Sequence, residues 1–266
     1  MARQRAYLLI TAFALLLVLF PFLFWYMTWF GRKLTDAEIG EYLADRAKPR
    51  HAQHALVQLG EHMARRDPAV ARWYPQVIQL AASPRIELRQ TAAWIMGQDH
   101  TCAPFHDTLL KLIADPQPMV RRNAALALSN FGDPAARPEL LAMLRPYTIV
   151  SPNAGVLQYR LKLGEYVNPG TLVAHVGGVE VRSPLPGEVR DLSRRPGSTV
   201  AAGDPLVEIS ADKEHVWEAL RALWSVGAKE DLEDIQRYAR GVTSMPEKVQ
   251  EQALLTVRAI RARGTP

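Results

Sequence analysis

Apolar residues recur at helical spacing over residues 34–146, where prolines and glycines punctuate the pattern. Thr35 and Glu38 form a capping box, which predicts that the first helix of this region begins there. Ser83-Pro84 combines a capping residue with a proline suited to the first helical position. The same helical pattern returns over residues 212–266. The sequence therefore predicts two helical regions on either side of a segment of different texture.

Two helices of the first region repeat one another at an offset of 32 residues. The matching residues are Pro84, Leu88, Arg89, Ala92 and Ala93 in one helix and Pro116, Val120, Arg121, Ala124 and Ala125 in the other. Their spacing places the apolar residues and alanines on one stripe, and small side chains in such a stripe let a neighbouring helix approach closely. Weaker copies occur over residues 49–60 and 246–257.

This pattern resembles the HEAT family, in particular short HEAT-like repeats with a proline, a valine, an arginine and an alanine pair in the second helix. The resemblance covers residues 35–146 and 213–263. It implies a curved stack of helix pairs whose surface binds other proteins and carries no catalytic residues. The alternative is an ordinary helical domain in which the alanine pairs coincide by chance.

Residues 147–211 are rich in valine, glycine and proline and alternate between apolar and polar positions, which predicts β-strands. A second internal repeat lies within them. Each half has a Ser-Pro pair, a turn glycine and a turn of the form G-x-x-V-x-x-G: Ser151, Gly155, Gly164 and Gly170 in the first half, and Ser183, Gly187, Gly197 and Gly203 in the second. Glycines at such turns allow positive φ, and the valines fill the space between two small sheets.

The doubled motif resembles the biotinyl/lipoyl-carrier fold, a closed barrel-sandwich hybrid. In that family a lysine on the hairpin between the halves carries the cofactor. Here Gly177-Gly178 forms a two-residue turn without lysine, so we expect no cofactor. The bacterial membrane-fusion adaptors are a second relative, but their hairpin is a long coiled coil. A zinc endopeptidase would need several histidines in this region, and His175 is the only one.

No charged residue occurs over residues 7–30, which as a helix is about 36 Å long and sufficient to cross a bilayer. Aromatic residues suited to the membrane interface follow at its end: Trp25, Tyr26, Trp29 and Phe30. Residues 1–33 are therefore predicted to be a transmembrane anchor rather than a cleaved signal peptide, whose apolar part is shorter and ends in small residues. We expect a single-pass protein of a bacterial inner membrane with its soluble part in the periplasm.

The composition of the chain excludes some kinds of cross-link and makes some kinds of ligand unexpected. The chain has one cysteine, Cys102, which excludes a disulfide framework. Its net charge of +5 is spread over short basic groups with acids between them, as on solvated helix faces, so nucleic-acid binding is not expected.

His100, Cys102 and His106 are the one compact group that could bind a metal or act in nucleophilic catalysis. A fourth ligand or an orienting group is not evident, so a surface loop is the preferred interpretation. His51 and His54, three apart on a helix, are assigned to the helix surface or to an interface between helices. Four tryptophans at helical apolar positions are interpreted as packing residues: Trp73, Trp94, Trp217 and Trp224.

The sequence thus predicts a multidomain protein with a transmembrane helix (1–33), a HEAT-type solenoid (34–146 and 212–266) and an inserted all-β barrel-sandwich domain (147–211). The expected function is that of a membrane-anchored, non-enzymatic scaffold that binds subunits of a membrane complex. A periplasmic transport adaptor similar to membrane-fusion proteins is the alternative. No metal, cofactor or small-molecule substrate is expected.

Overall fold

The computed structural model describes residues 11–23 and 32–263. From residue 36 onward its helices are α1 (Asp36–Ala44), α2 (Pro49–Ala64), α3 (Tyr74–Ala81), α4 (Ile86–Met96), α5 (Ala103–Leu112), α6 (Pro118–Asn130), α7 (Arg137–Met143), α8 (Lys213–Val226), α9 (Leu232–Ala239) and α10 (Glu247–Arg263). Short 3-10 turns lead into α3, α7 and α9. Within the described residues these helices form five consecutive pairs. The chain therefore folds as a helical repeat.

The second helices of the pairs form one continuous layer. Helix α2 packs against α4, α4 against α6, α6 against α8, and α8 against α10. The first helices, α1, α3, α5, α7 and α9, cover one side of that layer, and all ten contribute to one hydrophobic core. Helices from before and after the β-region share this core, so the two predicted helical regions belong to a single stack.

Small residues set the separation within the layer. Ala92, Ala93, Ala124 and Ala125 are all fully buried. A Cβ atom added at Gly97, directly after α4, would lie 2.9 Å from the Cα atom of Ala127 on α6. Because real Cβ atoms do not approach that closely, the glycine is required for these two helices to pack at this distance.

Two arginines at equivalent positions link consecutive pairs. Arg89 donates to both carboxylate oxygens of Asp115, at 2.7 and 3.0 Å, and to the carbonyl oxygen of Ser83 at 2.9 Å. Arg121 donates to Glu139 at 3.0 Å and to the carbonyl oxygen of Asp115 at 2.8 Å. The offset of 32 residues seen in the sequence thus corresponds to a shared structural role.

The β-region is inserted between the two helices of the fourth pair, because its strands follow α7 and precede α8. The strands are β1 (Tyr147–Val150), β2 (Gly155–Tyr159), β3 (Tyr166–Val167), β4 (Leu172–Val176), β5 (Val179–Arg182), β6 (Gly187–Leu192), β7 (Thr199–Val200) and β8 (Pro205–Ile209). They enclose a second core that is separate from the helical one. Helices α7 and α8 nevertheless pack against each other, so the helical stack continues past the insert.

The closed barrel predicted from the sequence is wrong. The strands form a half-barrel of two open sheets with the orders β1-β8-β6-β3 and β5-β4-β2-β7. All pairs are antiparallel, and β3 and β7 pair over two residues each. Such short edge strands cannot extend the hydrogen-bonded ladder far enough to join one sheet to the other. The likeness to a carrier domain therefore does not extend to a closed fold.

The two halves of the β-region still make equivalent hydrogen bonds. The Ser151 hydroxyl donates to the Asn153 carbonyl and the Ser183 hydroxyl to the Leu185 carbonyl, both at 2.6 Å. Ser183 N–H bonds the Gly170 turn of the first half, and Ser151 N–H bonds the Gly203 turn of the second half. Each Ser-Pro segment is thus held by the turn of the opposite half.

The predicted transmembrane helix is also corrected. Among the described residues, no helix has the length and apolarity needed to cross a membrane. Residues 11–23 are helical. The rest of the predicted span, including Trp25, Tyr26, Trp29 and Phe30, lies outside the described residues.

Replacing Arg89 with methionine should lower the free energy of unfolding by about 3 kcal/mol, because it leaves the carboxylate of Asp115 buried without its partner. The Asp115 side chain is 7% exposed. Burial tends to raise the pKa of Asp115, but the hydrogen bonds from Arg89 and from the Gln117 N–H, together with the charges of the nearby arginines, hold the pKa below its ordinary value. Urea unfolding followed by circular dichroism at neutral pH measures the change.

Arg65→Met is the matched control, since Arg65 pairs with Glu61 at 3.6 Å on the open surface. This substitution should cost less than about 0.5 kcal/mol. Equal losses for the two variants would contradict a structural role for the repeated arginine.

Candidate interaction cleft

The three residues predicted as a possible metal or nucleophile group do not form such a site. His100 is exposed in the turn before α5, and Cys102 is the residue that precedes that helix. Burial raises the pKa of the Cys102 thiol, which disfavours the reactive thiolate. No group of three or more His, Cys, Asp or Glu side chains in the described part of the chain could hold a metal ion.

His106 has a structural partner instead. Its Nε2 lies 2.6 Å from the carboxylate of Asp133, in the turn before α7. In the preceding repeat Tyr74 donates to Asp99 at 2.6 Å, in the turn before α5. Both aspartates also accept a backbone N–H two residues further on, at 3.0 and 2.8 Å. His106 therefore corresponds to Tyr74, and both tie a first helix to the next turn.

The Gly177-Gly178 turn joins β4 to β5, where a carrier domain would present its lysine. Both glycines have positive φ, 56° and 85°, as a two-residue hairpin turn of this kind requires. Backbone atoms of Gly177 would lie within 2.7 Å of a Cβ atom on Gly155, so the turn is packed against β2. It offers no side chain for a covalent cofactor.

A cleft of about 470 Å³ crosses the layer of second helices. Helix α6 packs between α4 and α8 and lies at the centre of the cleft, and the other two helices flank it. The apolar side chains that reach it are Trp94 from α4, Leu126 from α6 and Trp224 from α8. Trp94 is 46% exposed and Trp224 is 52% exposed. Large apolar side chains with this exposure, grouped in one cleft, are typical of interaction sites.

The interpretation of all four tryptophans as packing residues was wrong for two of them. Trp73 and Trp217 pack against the helical core, whereas Trp94 and Trp224 line the cleft. The repeat contains a signal for this: Trp94 and Leu126 each follow directly after an alanine pair, 32 residues apart. The alanines face the core; of the residues that follow them, Trp94 is exposed, whereas Leu126 packs partly against the core and also lines the cleft.

Polar groups of the cleft come from the same three helices. Asn123 donates to the carbonyl oxygen of Gln90 and Asn130 to that of Gly97, both at 3.0 Å. These bonds link α6 to α4 and use the amide N–H groups. Glu218 and Arg221 from α8 also line the cleft. Burial raises the pKa of Glu218, and the positive charge of Arg221 reduces this increase.

A buried polar cluster joins the helices to the β-region. Arg122 on α6 is 4% exposed and donates through Nη1 to Nδ1 of His215 on α8 at 2.7 Å. Because a guanidinium can only donate, Nδ1 of His215 must carry no proton. Asp212, before α8, accepts the hydroxyl of Tyr166 on β3 at 2.6 Å and the backbone N–H of His215 at 3.1 Å.

The pKa values in this cluster follow from burial and charge. Burial and the nearby charge of Arg122 lower the pKa of His215 to about 4. Burial also lowers the pKa of Arg122, to about 10. Burial and the bond to Asp212 raise the pKa of Tyr166 to about 12. At neutral pH His215 is therefore a neutral acceptor for a buried cation.

Comparisons with known proteins address the helical region. The family model for HEAT repeats matches residues 74–150. HEAT repeats are therefore supported over that stretch of the chain. The crystal structure of an engineered protein from the Northeast Structural Genomics Consortium is similar over 85% of this chain and 79% of that one, with 15% sequence identity and a TM-score of 0.46. No curated protein matches the chain.

Stability should fall as the pH is lowered from about 6.5 to 4, because His215 is protonated in the unfolded chain but not in the folded one across this range. A depressed pKa means that the unfolded state binds more protons, so stability is retained above 6.5 and lost towards 4. His215→Asn keeps an acceptor for Arg122 without titrating, and should reduce this loss by about 2 kcal/mol. Urea unfolding at a series of pH values measures the effect.

His100→Asn is the control, since His100 is exposed. It should leave the pH profile unchanged. An unaltered profile for His215→Asn would show that the junction does not hold this histidine neutral.

Replacing His106 with alanine should lower the free energy of unfolding by about 1 kcal/mol, because Asp133 loses a hydrogen bond.

Added zinc should not raise the melting temperature of either the natural chain or this variant. A ligand that binds only the folded state would raise it. Zinc-dependent stabilisation that disappears in the variant would reinstate the metal site.

Proposed function

We propose that this protein is a non-enzymatic scaffold whose helical repeats bind and organise partner proteins at the cleft between α4, α6 and α8. HEAT repeats generally mediate protein–protein interactions, and residues 74–150 match them. The observation that carries the proposal is the exposure of Trp94 and Trp224, which line one cleft together with the partly buried Leu126 of the helix between them.

Energetic considerations favour this surface over the rest of the stack. Tryptophan is over-represented among the residues that dominate binding energy at protein interfaces. The cleft is open and shallow, as a site for a protein segment is, and it offers amides and charges beside the apolar groups. A bacterial inner-membrane location and membrane-complex subunits as partners stay predictions of the sequence.

Exchange of Trp94 and Trp224 for alanine should abolish partner capture, with a loss of affinity of about 100-fold or more. The tagged full-length chain is purified from its native cells in a mild non-ionic detergent, and stoichiometric co-purifying chains are identified by mass spectrometry. The affinity of the principal partner is then measured with purified components.

Leu110→Ala is the matched control, since Leu110 is a 37% exposed apolar residue of α5 that does not line the cleft. It should retain the partner. The proposal would be contradicted if the double tryptophan variant kept its helical content and still retained the same chains. A triple alanine variant at His100, Cys102 and His106 should also retain its partners.

A further inference from the structure

Three acceptors that line the cleft have no donor within the described residues. Asn123 and Asn130 use their N–H groups to bond α4, and within the described residues their side-chain oxygens have no hydrogen bond. The Glu218 carboxyl has neither a hydrogen bond nor an ion pair in that part of the chain, although it is half-buried. A partly desolvated carboxylate without a donor is unfavourable, so a ligand that brings donors would be stabilised there.

Arg221 does not serve as that donor. Its guanidinium carbon lies 4.8 Å from the ring centre of Trp217, and Nζ of Lys248 lies 5.2 Å from the same ring. Both cations are thus associated with Trp217. Glu218 and Arg221 do not form an ion pair, although they lie three residues apart on α8.

The two cleft tryptophans have no cation of their own. Among the described residues, Trp73 and Trp217 have arginine or lysine groups over their rings, whereas Trp94 and Trp224 have none. Tryptophan is the aromatic side chain that attracts cations most strongly. Two open indole rings, an unpaired carboxylate and two amide oxygens therefore share one cleft of about 470 Å³.

We propose that this cleft receives a lysine or arginine side chain from an extended segment of the partner, with the cation beside Glu218 and its aliphatic part against Trp94 and Trp224. This inference rests on the scaffold function proposed above and specifies the chemistry of its ligand. The amide oxygens of Asn123 and Asn130 accept the remaining donors, from the cation or from the backbone N–H groups of the segment. Long cationic side chains suit this combination because their stems are apolar.

The overall charge of the chain makes the proposal specific. At +5 the protein repels a basic peptide in general. Binding of such a peptide must therefore come from a local site. An acidic peptide would be favoured by the net charge, and it serves as the opposing probe.

Fluorescence anisotropy tests the proposal with the full-length chain in mild non-ionic detergent. The probe is a short, capped, labelled peptide of alternating lysine and serine, compared with peptides that have glutamate or norleucine at the lysine positions. The lysine peptide should bind most tightly. Glu218→Gln should weaken it about tenfold, as expected for the loss of one charge-assisted contact, and Trp94→Leu should weaken it several-fold.

Glu233→Gln is the control, because it removes the same charge from an exposed position on α9 outside the cleft. It should change the affinity less than twofold. Equal effects of Glu218→Gln and Glu233→Gln would overturn the proposal. The proposal would also be overturned if the norleucine peptide bound as tightly as the lysine peptide. The same holds if the glutamate peptide bound most tightly and Arg221→Gln weakened its binding.

The two proposals fail separately. If the principal partner is lost from the double tryptophan variant but retained at full affinity by Glu218→Gln, the scaffold function stands and the cationic ligand is excluded. If the double tryptophan variant retains the partner, the cleft is not the binding site and the scaffold proposal fails. Circular dichroism confirms that each variant is folded before either conclusion is drawn.

Discussion

The close approach of the second helices is the constraint on which the rest of this structure depends. Ala92 and Ala93 on α4, together with Ala124 and Ala125 on α6, are fully buried and leave no space between the helices, and Gly97 permits backbone contact at their ends. Bulky residues in this stripe would separate the layer and expose its core. Since dispersion contacts decline steeply with distance, a small shift here would weaken the whole stack.

The same constraint produces the cleft. In α4 the residue after the alanine pair, Trp94, lies outside the buried stripe and is exposed in the cleft. The cleft is thus a by-product of the packing pattern. The insertion of the β-region between α7 and α8 does not interrupt it, because α8 still packs on α6 and contributes Trp224.

Much of the helical stack could be predicted from the sequence, because each repeat contains local signals: prolines before helices, the alanine pair, and the arginine that Arg89 and Arg121 represent. Side-chain exposure could not be predicted as well. Apolar periodicity counts every tryptophan as a candidate core residue, and only the alignment of the two repeats shows that Trp94, directly after the alanine pair, lies outside the buried stripe. The pairing of His106 with Asp133 depends on two residues 27 positions apart, which no local motif relates.

The remaining errors have physical causes of the same kind. An uncharged run such as 7–30 shows only that no charge opposes insertion into a bilayer, and it does not determine where a continuous helix begins and ends. Alternation of period two determines the faces of a strand but not which edges pair, so two open sheets and a closed barrel have the same pattern. The internal repeat of the β-region could be recognised in the sequence because Gly170 and Gly203 occupy equivalent turns, with φ of 87° and 86°.

The position of the β-region also affects the order in which the chain can fold. Helices α7 and α8 belong to one pair but are separated by residues 144–212, and closing a flexible loop of that length in place of a short turn costs about 3 kcal/mol of chain entropy. Strands β1 and β8 are direct neighbours, with Tyr147 opposite Ile209, so folding of the insert brings its own ends together. The folded β-region therefore replaces a long loop with a short connection. The first three helix pairs and the fifth can assemble from contacts that are local in the sequence, whereas the fourth pair depends on this strand pairing, which gives that pair a higher contact order than its neighbours.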